Sequence, residues 1–110
     1  MNTKINFPKS EVVKLKDMVN YQNDSIVSRI IIKKPQANLS LFAFDKGQSL
    51  SEHTAPFDAM IQILDGEAEV IIDGKSYNLN CCETIIMPAH IPHAVNATEK
   101  FKMLLTMIKD

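Results

Sequence analysis

Residues 47–66, GQSLSEHTAPFDAMIQILDG, are the stretch that decides the fold of this chain. A glycine stands at each end, and between them lie one histidine, His53, and two alanines, Ala55 and Ala59. Alternate residues of a β-strand share one face, so His53 and Ala55 are expected to point the same way. Position 59 then lies on the strand that follows. The stretch predicts two short strands that direct one histidine and two small residues toward a common interior.

A second stretch, residues 82–96, CETIIMPAHIPHAVN, has a related arrangement. Pro88 follows six residues after Cys82, and His93 and Asn96 close the stretch. It therefore supplies a second histidine from another part of the chain. Apart from these two, only one further histidine is present in the sequence.

Together the two stretches resemble the two sequence motifs of the cupin family, a double-stranded β-helix related to the jelly rolls. The positions that fall in frame are Gly47, His53, Gly66, Pro88, His93 and Asn96. The resemblance implies an all-β fold in a single domain, with a cupin barrel over residues 38–110. Residues 1–37 are then expected to add an edge strand or strands to the same domain.

The resemblance also implies a degenerate metal motif. Cupins usually hold a metal with three histidines and a glutamate, a ligand set that suits Mn, Fe, Co, Ni or Zn. Here Ala55 and Ala59 occupy two of the four ligand positions, which leaves His53 and His93. Catalytic metal sites normally keep at least three protein ligands. At most a weak divalent-metal site at the two histidines is therefore expected.

Four other polar side chains near the motifs are candidates to replace a missing ligand. Asp58 immediately precedes the missing glutamate position, but strand alternation turns it to the opposite face unless a bulge intervenes. His90 lies on a turn that normally faces solvent. Glu52 and Gln62 also have the wrong parity to point inward. None of them is favoured as a third ligand.

Composition places the chain among ordinary globular proteins. It has 110 residues, enough for one small domain, with 45% hydrophobic and 23% charged residues. The formal net charge of −1 gives no electrostatic basis for binding nucleic acid. No apolar run is long enough to cross a membrane, and residues 1–10 lack the apolar core of a signal peptide, so a cytoplasmic location is expected. Cys81 and Cys82 are adjacent and form no CxxC motif; they are interpreted as reduced residues at a turn.

Turn residues at short intervals separate runs rich in β-branched and apolar residues, a pattern typical of an all-β barrel or sandwich. Asp73-Gly74 predicts a tight hairpin, and Asp65-Gly66 is interpreted as another turn. Residues 39–44 are apolar on both faces, which predicts a covering layer from either the N-terminal segment or a partner subunit. Residues 10–21 fit neither the helical nor the strand period, and the resemblance favours an edge strand there.

Three functions are compatible with the sequence; the first is favoured, and the second is the main alternative. The first is a small-molecule-binding cupin whose pocket is formed by five residues: His53, Ala55, Ala59, Met87 and His93. The second is a metal-dependent oxygenase or isomerase that uses the two histidines and a non-standard ligand. The third is a non-catalytic structural or regulatory dimer. No catalytic residue is assigned, and a homodimer is expected because cupins generally pair.

Overall fold

A computed structural model describes residues 5–109, which form one short helix and eight antiparallel strands. The helix is a single 3₁₀ turn, Leu15–Asp17. The strands are β1 Ile26–Lys34, β2 Ala37–Phe44, β3 Ser49–His53, β4 Asp58–Ile72, β5 Lys75–Asn80, β6 Thr84–Met87, β7 His93–Asn96 and β8 Phe101–Ile108. The predicted all-β fold is confirmed. None of the described residues belongs to a helix long and apolar enough to span a membrane.

Strand β4 belongs to two sheets. Its first half lies between β8 and β6 in a sheet ordered β1-β2-β8-β4-β6, and its second half lies between β7 and β5 in a sheet ordered β3-β7-β4-β5. The predicted turn at Asp65-Gly66 is wrong, because the chain continues there as one strand with a register shift between Ile63 and Asp65. Gly66 has φ +75°, a left-handed conformation that favours glycine, and this irregularity redirects the strand from one sheet to the other.

The interior of the barrel is filled with side chains. Ile61 and Ile63 of β4 are fully buried, as expected from their shared face. Phe44 and Phe101 are also fully buried, and their rings stack with centroids 4.5 Å apart. Close packing of this kind is the main stabilising feature of a domain this small.

A second layer covers the outer face of β2, as the double-sided apolar pattern predicts. Leu41 and Ala43 point away from the barrel and are nevertheless fully buried. The N-terminal segment covers them: Val19 is 4% exposed, and Leu15 and Met18 pack beside it. The N-terminal segment is thus the covering layer for this part of the sheet.

The expected strand within residues 10–21 does not form. These residues are irregular except for the 3₁₀ turn, and the strand added to the sheet edge is β1. The physical reason is that the segment crosses the outer face of the sheet and buries side chains there, instead of pairing its backbone with the edge.

Polar contacts fasten the N-terminal segment to the sheet. The Tyr21 hydroxyl donates a 2.6 Å hydrogen bond to Asp65, and the ammonium groups of Lys100 and Lys102 lie 4.8 and 5.0 Å from the tyrosine ring centre. Arg29 donates a hydrogen bond of 3.0 Å to the carbonyl of Met18. Burial, and then the Asp65 carboxylate, raise the pKa of Tyr21 above its usual value.

We expect Tyr21→Phe to lower the free energy of unfolding by about 1–2 kcal/mol at pH 7, because a partly buried hydrogen bond to a carboxylate is lost. The raised pKa means that Tyr21 contributes its stability fully below its unfolded pKa of ~10 and loses it as the pH rises further. Urea unfolding at pH 7 and above pH 10 should therefore show the difference between the two proteins shrinking at high pH. A difference that stays constant or grows would contradict this assignment.

Three residues other than glycine have a left-handed backbone conformation at positions that bear on the sequence predictions. Asp73, with φ +50°, precedes Gly74 with φ +80°, and this confirms the predicted tight hairpin. Cys82 and His90, which stand where cupins usually have glycines, have φ +74° and +68°. Both positions thus have a left-handed conformation that favours glycine, although neither holds one.

Candidate functional site

His53 and His93 face each other across two neighbouring strands. They are directly paired in the register of β3 with β7, and their ring centroids lie 4.4 Å apart in an edge-to-face arrangement. The motif spacing predicts this proximity, and the structure confirms it. Register explains it: β7 ends the second motif and aligns antiparallel to β3 of the first.

Backbone carbonyls orient both imidazoles. Nδ1 of His53 lies 2.8 Å from the carbonyl oxygen of Ser51, and Nδ1 of His93 lies 3.1 Å from that of Ile91. A carbonyl oxygen only accepts, so in each ring Nδ1 carries the proton and donates it. Nε2 of each neutral ring then carries a lone pair, which can accept a hydrogen bond or bind a metal.

The two histidines differ in burial. His93 is 6% exposed and is the one buried polar side chain among the described residues, whereas His53 is exposed to solvent. The pair therefore lies where the packed interior meets water. Ala55 lies beyond the end of β3, so the expected common strand face of His53 and Ala55 is not formed. Ala55 is half-buried, and its carbonyl accepts a 2.8 Å hydrogen bond from the His90 backbone N–H.

The other two predicted pocket residues are part of the packed core. Ala59 of β4 and Met87 of β6 are paired directly across the sheet and are 4% and 3% exposed. The structure therefore brings the predicted residues together as two pairs, His53 with His93 and Ala59 with Met87. Both members of the second pair are closed off from solvent.

The residues present do not fit the metal centre that the fold family implies. Within residues 5–109, no three side chains of the His, Cys, Asp and Glu types are grouped to hold a metal ion. Two imidazoles alone leave too few ligands for a resident catalytic metal.

The discounted ligands lie elsewhere. Asp58 is exposed, and its carboxylate accepts a 2.9 Å hydrogen bond from the Ala89 backbone N–H. Together with His90 and Lys109 it lines a surface cavity of about 440 Å³ that does not include the histidine pair. Gln62 alternates with the buried Ile61 and Ile63 and so leaves the barrel, as its parity predicts.

Sequence reasoning missed the groups that set the tautomers of the two histidines. These are the carbonyls of Ser51 and Ile91, each two residues before its histidine. A backbone carbonyl is present at every position, so no side-chain pattern could have identified them.

The fold agrees with the comparisons to known proteins. The sequence model of the cupin domain matches residues 40–109, and the chain belongs to the cupin family. No curated protein matches the sequence.

Three solved structures illustrate the similarity. A conserved protein of unknown function from Streptococcus pyogenes is 38% identical over 99% of this chain and 96% of that chain, with a TM-score of 0.92. A cupin superfamily protein from Desulfitobacterium hafniense is 27% identical over 98% of this chain and 100% of that chain, with a TM-score of 0.89. A cupin 2 conserved barrel domain protein from Leptotrichia buccalis is 44% identical over 86% of this chain, with a TM-score of 0.84, but the match spans 46% of that chain.

Proposed function

We propose that this cupin binds a small molecule at the boundary formed by His53 and His93, without catalysis by a resident metal. The observation that carries the proposal is the orientation of both imidazoles by backbone carbonyls, which leaves the Nε2 atom of each of two neighbouring rings as an acceptor. Two convergent polar groups beside small and apolar residues are the usual composition of a ligand site.

The chemistry of the pair points to a ligand that donates hydrogen bonds. Neutral imidazoles with protonated Nδ1 offer acceptors only, so a hydroxyl or an amino group is the matching partner. Ala55 carries only a methyl group where the family motif has an imidazole, so it takes up less room than that ligand would. Ala59 and Met87 belong to the proposed pocket as its apolar interior, and a ligand reaches them only when neighbouring core side chains move.

Ligand binding is tested by a thermal-shift screen with a library of small alcohols, diols and amines. We expect compounds that raise the melting temperature of the parent, and we expect His53→Gln and His93→Gln to abolish the shift. His90→Ala is the matched control, because His90 lines the separate surface cavity and its removal should leave the shift unchanged. Hits that persist in both His→Gln variants would overturn the proposed location.

The absence of a resident metal is tested by elemental analysis of protein purified without an affinity tag. We expect metal well below one equivalent per chain. Stoichiometric Mn, Fe, Co, Ni or Zn would overturn this part of the proposal and favour a metal-dependent enzyme.

Both cysteines are free thiols, which supports placing the protein in a reducing compartment such as the cytoplasm.

A homodimer is part of the same proposal, and the outer face of the first sheet supports it. Five residues in consecutive register form a largely apolar row across five strands: Ile32, Leu39, Thr106, Met60 and Ile86. Ile86 is 60% exposed, and Ile108 beside the row is 56% exposed. Exposed apolar patches usually mark a subunit contact, and a two-fold dimer is the commonest arrangement.

We expect light scattering at micromolar concentration to give a dimer mass for the parent and a monomer mass for Ile86→Glu. Val12→Glu is the control, because Val12 is also an exposed apolar residue, 99% exposed, but lies outside the row. A monomeric parent, or equal loss of the dimer in both variants, would contradict the proposed interface.

A further inference from the structure

Two thiols meet at the turn between β5 and β6. The Sγ atoms of Cys81 and Cys82 lie 3.4 Å apart, and both residues are exposed and free of disulfides. Adjacent residues in a regular strand point to opposite faces, so this contact exists only because the chain turns here. The Cys81 thiol also lies 3.4 Å from the carbonyl oxygen of Leu64, to which it donates.

Backbone hydrogen bonds hold this turn in one conformation. The Cys82 N–H donates to the Ile63 carbonyl at 2.8 Å, and the Glu83 N–H donates to the Asn80 carbonyl at 3.0 Å. The Asn80 N–H in turn donates to the Glu83 carboxylate at 2.7 Å. Cys82 is kept at φ +74°, a conformation that a residue with a side chain adopts only when its surroundings enforce it. The two thiols are therefore preorganised.

Direct closure into a disulfide is unfavourable for this pair. Consecutive Cα atoms are about 3.8 Å apart across a trans peptide, whereas disulfides usually join Cα atoms about 4.4–6.8 Å apart. A bond between neighbouring cysteines is accordingly strained and easily reduced. A larger atom that bridges the two sulfurs avoids this strain, because the sulfurs can stay near their present separation.

We propose that Cys81 and Cys82 form a bidentate thiol site for a soft, trivalent thiophilic centre, specifically a trivalent arsenical. Bonds of ~2.3 Å, the length of a zinc–thiolate bond, would meet at an angle of about 95° across the observed 3.4 Å gap. That angle is narrower than the ideal tetrahedral angle and far from a linear arrangement. It suits trivalent arsenic, whose three bonds lie close to right angles because a lone pair occupies the remaining position.

The reaction balances without an oxidant. An arylarsonous acid, R–As(OH)₂, exchanges its two As–O bonds for two As–S bonds, and each thiol proton leaves with a hydroxide as water. Arsenic stays trivalent, sulfur is not oxidised, and two waters are released. The hydrogen bond with Cys82 raises the pKa of Cys81, which favours the neutral form of that thiol.

Divalent metal ions match this turn less well. They require thiolates and further ligands, and the residues from 5 to 109 provide no third His, Cys, Asp or Glu grouped with the two cysteines. The site is separate from the histidine pair, so its test is independent of the proposed small-molecule function.

The test uses phenylarsine oxide with the reduced, full-length protein. We expect one equivalent of the arsenical to prevent both thiols from reacting with a chromogenic thiol reagent. The arsenical should survive gel filtration in excess 2-mercaptoethanol and be released by 2,3-dimercaptopropanol. It should also raise the melting temperature, because the folded turn presents the thiols in the bridging geometry. No rise in the melting temperature, or protection of a single thiol, would overturn the proposal.

Variants with one thiol provide the controls. Cys81→Ser and Cys82→Ser should each bind the arsenical about 10²-fold more weakly or worse, since the second bond is no longer intramolecular. Cys82→Gly removes the thiol, and glycine suits the left-handed backbone at this position. We therefore expect this variant to lose arsenical binding while keeping the melting temperature of the parent. Equal arsenical retention by these variants would overturn the proposal. Zinc retained by the parent as firmly as the arsenical would overturn the assignment to a trivalent centre.

Discussion

The double substitution Ala55→His, Ala59→Glu is expected to turn a weak binder of Ni²⁺ or Zn²⁺ into a tight one. The redesigned chain would restore the full cupin ligand set with His53 and His93, whose imidazoles are already 4.4 Å apart and oriented by carbonyls. Four ligands offset metal dehydration where two imidazoles cannot, and structural zinc sites contribute on the order of 10 kcal/mol in favourable cases. The gain in affinity should be the largest effect of any substitution considered for this protein.

The redesign should also lower the stability of the protein when no metal is bound. Ala59 is 4% exposed in the packed core, so a glutamate there is both too large and buried as a charge. Without metal, we expect the redesigned protein to be destabilised by several kcal/mol. Excess metal should then raise its melting temperature strongly, because the metal binds only the folded state.

Isothermal titration calorimetry and thermal unfolding with and without Ni²⁺ or Zn²⁺ measure both effects. Affinity should fall at acidic pH as the imidazoles protonate. Adding His93→Ala to the redesign should abolish the gain. A parent that already binds one metal tightly, with no improvement on redesign, would contradict the lost-ligand interpretation and indicate that an unassigned residue completes the site.

Gly66→Ala is expected to destabilise the protein by more than about 4 kcal/mol, which is exceptional for a single substitution and close to the whole stability of a small domain. A methyl group at Gly66 would overlap the carbonyl oxygen of Lys100 and lie 2.9 Å from the Cα of Phe101. Both obstacles are backbone atoms at the start of β8, so β4 and β8 would have to separate. The left-handed φ of +75° adds about 1–2 kcal/mol of conformational strain.

Gly74→Ala is the matched control for this prediction. Gly74 has a similar φ of +80°, but a methyl group there would meet nothing within 4 Å. Its substitution should cost only the conformational strain, about 1–2 kcal/mol. Chemical denaturation of both variants separates the two contributions. Equal losses would show that the close approach of β8 is not what requires glycine at position 66.

Much of the fold could be predicted from short-range patterns. The Asp73-Gly74 pair predicted its hairpin because two consecutive left-handed residues suit that turn. Strand alternation predicted which side of β4 is buried and that Gln62 leaves the barrel. The motif spacing also predicted that His53 and His93 meet, since the positions of both in the family frame imply facing strands.

The sequence by itself thus determined the fold class, the covering of β2 by a second layer and the pairing of the two histidines, because each depends on local periodicity or motif spacing. Only the tertiary structure decided that β4 continues through Gly66, and that the N-terminal segment is the covering layer. It also decided that Ala59 and Met87 are closed off from solvent. These features depend on contacts between residues far apart in the chain, such as Tyr21 with Asp65, 44 positions away. No local sequence pattern predicts such contacts, because they stabilise the protein only once the strands have assembled.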